Sequence, residues 1–278
     1  MFHATTIGIT FESACRYGTF GRAHSIFEKA MNIQISDEGQ LLTILCEGAD
    51  IMSAGCIVNA PSDVGERISV GDKVLMTPDV VYIEQIPFAC YISSANIWDR
   101  LSAADISAIA KPSYRNLFET CKEVESYLNI FGKSEMTLRP LLHDELNPLD
   151  FIGLGYGLTP AGDDFLAGML FGMYFLEDMY GKSCSYLSEM IDIISKNLHR
   201  TGTISKHFLR YALKGEWGRN TENFLIALAK GEKDELWDAV CAKMAYGASS
   251  GEDELRGCLF GIKKYINDVG GDSFVYNS

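Results

Sequence analysis

Two segments in the second half of the chain repeat each other. Gly162-Asp163-Asp164-Phe165-Leu166-Ala167-Gly168-Met169-Leu170-Phe171-Gly172 aligns without gaps with Gly251-Glu252-Asp253-Glu254-Leu255-Arg256-Gly257-Cys258-Leu259-Phe260-Gly261, and seven of the eleven positions are identical. Each copy follows helix-start residues, Thr159-Pro160 in one and Ser249-Ser250 in the other, so both read as structurally equivalent helix N-termini. A spacing of four places Asp164, Gly168 and Gly172 on one helix face, and Asp253, Gly257 and Gly261 on another. Glycine inside a helix costs about 1 kcal/mol relative to alanine. Four such glycines need a reason, and the usual one is close approach of a second helix. If a pseudo-twofold relates the copies, both helix starts face one cavity. The plainer reading is helix capping: a first-turn acid stabilises the macrodipole by roughly 0.3–1 kcal/mol, and Ser249-x-x-Glu252 has the form of a capping box. One copy alone would be read that way. The pair, with its glycine stripes and the loop before it, points to a site.

That loop is Gly153-Leu154-Gly155-Tyr156-Gly157-Leu158-Thr159-Pro160-Ala161-Gly162. Alternating glycines ahead of a helix can leave consecutive N–H groups to grip an anion. It is not a Walker loop, because no Gly-Lys-[Ser/Thr] follows, and it is not a dinucleotide fingerprint, because Pro160 starts the helix and no βαβ unit surrounds it. Carboxylates such as Asp163, Asp164 and Asp253 accept hydrogen bonds from NH₂ groups or hold a hard cation such as Mg²⁺; the sequence selects neither.

The rest of the chain sets this in an α+β fold. Thr5–Phe11, Leu41–Cys46, Gly55–Asn59, Lys73–Thr77 and Val80–Ile86 are β-rich runs, separated by turn material at Asp37-Glu38-Gly39, Pro61-Ser62-Asp63 and Gly71-Asp72. Their close spacing without intervening helices predicts an N-terminal antiparallel β barrel or sandwich over residues 1–95. Gly21–Asn32 fits strand or helix. Residues 96–278 form a mainly helical domain. Its expected helices are Ser102–Ala110, Tyr114–Phe131, Pro140–Glu145, Pro160–Asp178, Ser185–Leu198, Thr203–Lys214, Thr221–Ala229, Asp234–Tyr246 and Gly251–Asn267.

Charge and composition narrow the partners. Lys and Arg total 24 against 37 Asp and Glu, a net charge of −13, so nucleic acid and membrane surfaces are poor partners. A small anionic substrate remains open, since it responds to local donors. The longest apolar stretch, Phe165–Leu176, is too short for a bilayer, which needs about 20 residues. The N-terminus lacks the basic and apolar regions of a signal peptide, and the eight cysteines are scattered without a CxxC pair, so a cytoplasmic setting with free thiols is expected. No HExxH or Cys/His ligand cluster suggests zinc.

The glycine loop and its two aspartates resemble the signature of a bacterial family typified by the AllH subunit of oxamate carbamoyltransferase. The resemblance continues at Ala23-His24-Ser25-Ile26-Phe27, at Thr203-Ile204-Ser205 with Leu209, Ala212 and Gly215, and at Gly247-Ala248-Ser249-Ser250-Gly251-Glu252-Asp253. Where the family often has serine, this chain has Ala161, which excludes a catalytic hydroxyl there. The resemblance implies carbamoyl transfer between oxamate and phosphate, carried out with other protein subunits. It adds His24 to the candidate catalytic residues Asp163, Asp164 and Asp253. It also makes Ser25, Gly153, Gly155, Gly157, Thr159, Gly162, Thr203, Ser205, Ser249, Ser250 and Gly251 candidate substrate contacts. By default, His24 is a structural histidine, Thr203 an N-cap, and Arg200 and Arg210 are solvated. Trp98, Trp217 and Trp237 are core or interface residues, and Glu232–Glu235 is a solvated turn. The alternatives are a Mg²⁺-dependent hydrolase with paired aspartates and a non-catalytic ligand-binding or scaffold subunit.

Overall fold

The computed structural model describes residues 2–36, 40–59, 67–84, 88–133 and 146–270. The expected turns at Asp37-Glu38-Gly39 and Pro61-Ser62-Asp63, the end of the Val80–Ile86 strand and the whole Pro140–Glu145 helix lie outside these residues. The chain divides into two compact units, Met1–Arg100 and Leu101–Ser278.

The first unit is a closed eight-stranded barrel. Its strands are β1 (Phe2–Gly8), β2 (Thr19–Ile26), β3 (Ala30–Gln34), β4 (Leu41–Cys46), β5 (Gly55–Val58), β6 (Lys73–Met76), β7 (Val80–Ile83) and β8 (Phe88–Tyr91). They run in the order β1-β5-β4-β3-β2-β6-β7-β8 and back to β1. A short β9 (Asn96–Trp98) pairs with Thr6–Gly8 of β1. Closure removes exposed strand edges. Alternation fills the interior: Val74, Met76, Val81 and Ile83 are completely buried, while Lys73 before Val74 and Tyr82 between Val81 and Ile83 face outward. The region ambiguous from sequence, Gly21–Asn32, is the β2–β3 hairpin.

Two features differ from the sequence expectation. Most pairings are antiparallel, but β4–β5, β1–β8 and β1–β9 are parallel. Residues 47–54 carry the chain back so that β5 enters in the direction of β4. The run expected as one strand, Thr5–Phe11, breaks at Gly8. A Cβ on Gly8 would lie 2.2 Å from the Met52 carbonyl oxygen, so only glycine permits that approach. Helix α1 (Ile9–Arg16) follows, burying Phe11 and Cys15 at a spacing of four and pairing Glu12 with Arg16 on its outer side.

The second unit contains α2 (Ala103–Ser107), α3 (Tyr114–Phe131), α4 (Ala161–Tyr180), α5 (Ser185–Asn197), α6 (Thr203–Ala212), α7 (Arg219–Lys230), α8 (Lys233–Met244) and α9 (Ser250–Gly270). α2 begins with a Ser102/Asp105 capping box, and α3 with a Ser113 cap. α4 is the central element: fourteen of its twenty residues are buried, so it is surrounded rather than amphipathic. Phe165 of α4 stacks on Phe151 and tilts against Phe260 of α9, with ring centroids 5.1 and 5.6 Å apart. Trp217 is a core residue set edge-on to Phe171 and Phe175. α4 stops at Gly181, which adopts the left-handed conformation and returns its N–H to the Glu177 carbonyl. Among the described residues, no helix is long and apolar enough to cross a membrane.

Candidate functional site

The glycine stripes of α4 and α9 lie against each other. A Cβ on Gly168 would sit 2.0 Å from the Glu254 carbonyl oxygen, and one on Gly257 would sit 2.0 Å from that of Phe165. Further along, Gly172 would meet the Cys258 carbonyl at 2.5 Å, and Gly261 that of Met169 at 2.2 Å. In the repeat alignment Gly168 corresponds to Gly257, Phe165 to Glu254, Gly172 to Gly261 and Met169 to Cys258. The contacts are therefore reciprocal, and a local pseudo-twofold relates the helices. Contact positions rise together along both, so α4 and α9 run parallel and their N-termini converge. The helix-start hydrogen bonds repeat as well: Asp164 N–H donates to the Pro160 carbonyl as Asp253 N–H donates to that of Ser249. A hydroxyl bridge, Thr159 Oγ1 to Ser250 Oγ at 3.0 Å, joins the two starts.

The second position of each repeat anchors a neighbouring segment. Asp163 is buried, and its carboxylate accepts from the Gly153 N–H at 2.8 Å, the Ser205 hydroxyl at 2.6 Å and the Thr201 hydroxyl. Glu252 accepts from the Lys133 N–H at 2.6 Å and pairs with Arg256 at 2.8 Å, which in turn donates to the end of α3. The adjacent Asp163 and Asp164 are thus not paired in space: one holds the glycine loop and α6, the other faces α9.

The third position of each repeat is an aspartate with little solvent exposure. Asp164 hydrogen-bonds with Ser250 and Thr159, yet its Oδ2 is buried and makes no hydrogen bond among the described residues. Burial, followed by the charges of Glu254 and Asp253, pushes its carboxyl well above the ordinary carboxylate range; the hydroxyl contacts pull the other way. Asp253 is fully buried. Beside it Glu254 pairs with Lys243 of α8 at 2.8 Å, and Thr221 of α7 bridges them, accepting from Lys243 at 2.9 Å and donating to Glu254 at 2.5 Å. Lys243 is only 2% exposed, a position a lysine takes only when paired. Among the described residues, no group of three or more His, Cys, Asp or Glu side chains is arranged to hold a metal ion.

The glycine loop lies beside the α4 start. Gly153, Gly155 and Gly157 have φ of 77°, 116° and 97°, and Leu154 and Tyr156 between them have negative φ. Alternation of this kind is the one that forms anion-binding nests in other loops. The Gly153 N–H is taken by Asp163 and that of Leu154 by Phe151, while those of Gly155, Tyr156, Gly157 and Leu158 meet no acceptor among the described residues. Tyr156 is 94% exposed at the tip. Gly162 and Gly251 are packing positions: a Cβ on either would strike the Phe151 or Lys243 carbonyl within about 2 Å. Ser249 accepts the Asp253 N–H through its carbonyl.

The middle motif resolves differently from its reading as a cap. Gly202 is the N-cap of α6, and Thr203 is an exposed first-turn residue. The hydroxyls that reach Asp163 belong to Thr201 and Ser205. His207 on the same helix is buried, and desolvation, with Arg210 and Lys214 nearby, lowers its pKa to about 4. In the barrel unit, His24 sits at a bulge of β2 against β3, with Nδ1 3.2 Å from Ser25 Oγ. Asn32 donates to Ser25 Oγ at 2.9 Å, and Thr43 donates to Asn32 at 2.8 Å, forming a cross-strand chain.

Sequence reasoning missed Lys243, Glu254, Thr221 and Thr201. One signal was present: Glu254 occupies the repeat position where the first copy has Phe165, so a charge stands where the equivalent helix buries a ring.

Known families account for both units. The AllH family N-terminal domain matches residues 4–101, and the family described as oxamate carbamoyltransferase subunit AllH matches residues 151–262. No solved structure matches the chain. With both units matched over most of the length, the chain belongs to the family of oxamate carbamoyltransferase AllH subunits.

Proposed function

We propose that the chain is a carbamoyltransferase subunit that binds a small ureido or amide anion, such as oxalurate or oxamate, together with phosphate or carbamoyl phosphate, where α4 and α9 begin. The observation that carries this reading is the convergence of two parallel helix N-termini on buried carboxyls, beside a loop with four N–H groups that meet no acceptor among the described residues. Helix starts and alternating-φ loops suit a phosphate or carboxylate, and the buried carboxyls suit the amide end. In the transfer, a phosphate oxygen attacks the ureido carbon, the bond from that carbon to the oxamate nitrogen breaks, and the departing nitrogen takes a proton. The products are oxamate and carbamoyl phosphate.

The proposed binding groups are Gly155, Gly157, Thr159 and Ser250, with Asp164 and Asp253 at the amide end. Asp163, Gly153, Thr201 and Ser205 hold the loop in shape. His24 and Ser25 form the candidate proton-handling pair of the barrel unit. The family description names a subunit, which supports assembly with other proteins, and little turnover is expected until those partners are added. The test is a carbamoyl-transfer assay on the reconstituted complex with wild type, Asp164→Ala and His24→Gln. A loss of at least a hundredfold is expected for Asp164→Ala, about 2.7 kcal/mol at 1.36 kcal/mol per decade. No turnover by the wild-type complex with oxalurate and phosphate would sink the reading.

A further inference from the structure

We propose that Asp164 meets the ligand as an uncharged acid, its Oδ2 hydroxyl donating to a carbonyl oxygen, so that this end of the site selects a carboxamide or ureido group over a carboxylate or a cation. The inference rests on the reading of the helix starts as the ligand site. The carboxyls of Asp164 and Glu254, both part-buried, lie near each other and near the fully buried Asp253. The nearby cation, Lys243, is committed to Glu254 and Thr221. Charges so placed cannot all be accommodated without a proton, because desolvation penalises each and they repel one another. Asp164 is where the proton belongs. Oδ2 is buried and makes no hydrogen bond among the described residues, so the contacts with Ser250 and Thr159 are assigned to Oδ1 and Oδ2 is left to carry the hydrogen. Burial and the two neighbouring charges act in that direction. The α4 dipole favours an anion, but on the same turn Asp163 is the carboxyl that meets an N–H and two hydroxyls.

An O–H at this point requires an acceptor. An amide or ureido carbonyl supplies one while its NH₂ can donate to a neighbouring carboxylate. A cation supplies no acceptor, and a carboxylate in that place adds charge beside Asp253 and Glu254.

The experiment is a pH titration of the full chain labelled with ¹³C at the aspartate carboxyls, with and without oxamate or oxalate. Ordinary aspartates ionise near pH 4. One resonance is expected to hold the protonated position at pH 7, to vanish in Asp164→Asn, and to move with oxamate but not with oxalate, which lacks the amide. If Asp164→Asn does not fold, Ser250→Ala removes a hydroxyl beside Asp164 and marks the same resonance by displacing it. Titration of every aspartate below pH 5, assignment of the protonated signal to another residue, or an equal response to oxalate would overturn the proposal. Protonation is read on the protein alone, and carbamoyl transfer is read by turnover, so one can fail without the other.

Discussion

The starts of α4 and α9 share a backbone and differ in chemistry. Both cap through the residue four back, both press a glycine stripe on the partner's carbonyls, and both spend their first acidic residue on a neighbouring segment. Beyond that they diverge. The α4 start has Ala161 and Phe165 where α9 has Ser250 and Glu254. One side therefore presents a ring to the core and a loop of N–H groups to solvent, while the other holds a buried Lys243–Glu254 pair. The duplicated scaffold thus carries unlike side chains at its two starts, which is what the proposed ligand, with an anionic end and an amide end, would require.

The shared part breaks with the largest effect. Gly168→Ala and Gly257→Ala each place a methyl about 2 Å from a backbone carbonyl that cannot rotate away. Both should lose about 4 kcal/mol or more in denaturant unfolding, or fail to fold, and to similar extents. Unequal losses would show that the reciprocal packing is not energetically symmetric.

The unlike part comes next. Lys243→Met leaves the part-buried Glu254 without its cation, at a cost of about 3 kcal/mol. Lys243→Met with Glu254→Gln should recover much of that loss in the same unfolding measurement. The α4 start has no equivalent pair, because Phe165 stands in that place.

A third effect separates the braces of the two starts. α6 braces the α4 start through Ser205, and it carries His207 neutral and buried. A histidine pKa lowered from 6.5 to about 4 means that the unfolded chain binds the proton more readily. Stability from this group is complete above the unfolded value and is lost as pH falls from about 6.5 towards 4, by up to about 3 kcal/mol. His207→Gln should flatten that limb of a melting-temperature profile; an unchanged slope would remove the assignment.

The smallest stability effect belongs to the loop. Gly157 has a positive φ and open space around a would-be Cβ, so Gly157→Ala should cost only about 1 kcal/mol, from backbone strain. Anion-induced stabilisation should nevertheless weaken, because the loop's N–H groups would shift.

The sequence made the scaffold readable and left much of the chemistry hidden, for physical reasons. A spacing of four fixes which glycines share a face, so helix packing could be inferred from one dimension. α3 was legible because a Ser113 cap and an apolar stripe agree over its whole length. Gly8 was hidden inside a run of β-branched residues, since a close approach by Met52 is a tertiary fact. The parallel entry of β5 was equally invisible, because loop length does not say which way a loop returns. At the site, adjacency made Asp163 and Asp164 look paired, but consecutive helical residues point about 100° apart. Lys243 carried no local mark: it lies on a helix with charges on several sides, and only its partner Glu254 makes it part of the site.

If the two helix starts form one proposed ligand site, changes on either side must act on the same ligand. The direct test is the melting-temperature shift of the full chain with carbamoyl phosphate, measured for wild type, Gly155→Val and Ser250→Ala. The first substitution alters the α4 side, where a side chain would crowd the Ala161 nitrogen. The second alters the α9 side and makes it match Ala161. Selective binding to the native state raises the melting temperature, and either change alone should remove most of the wild-type shift. A wild type unaffected by carbamoyl phosphate, or a shift that survives one of the two substitutions intact, would contradict a single shared site.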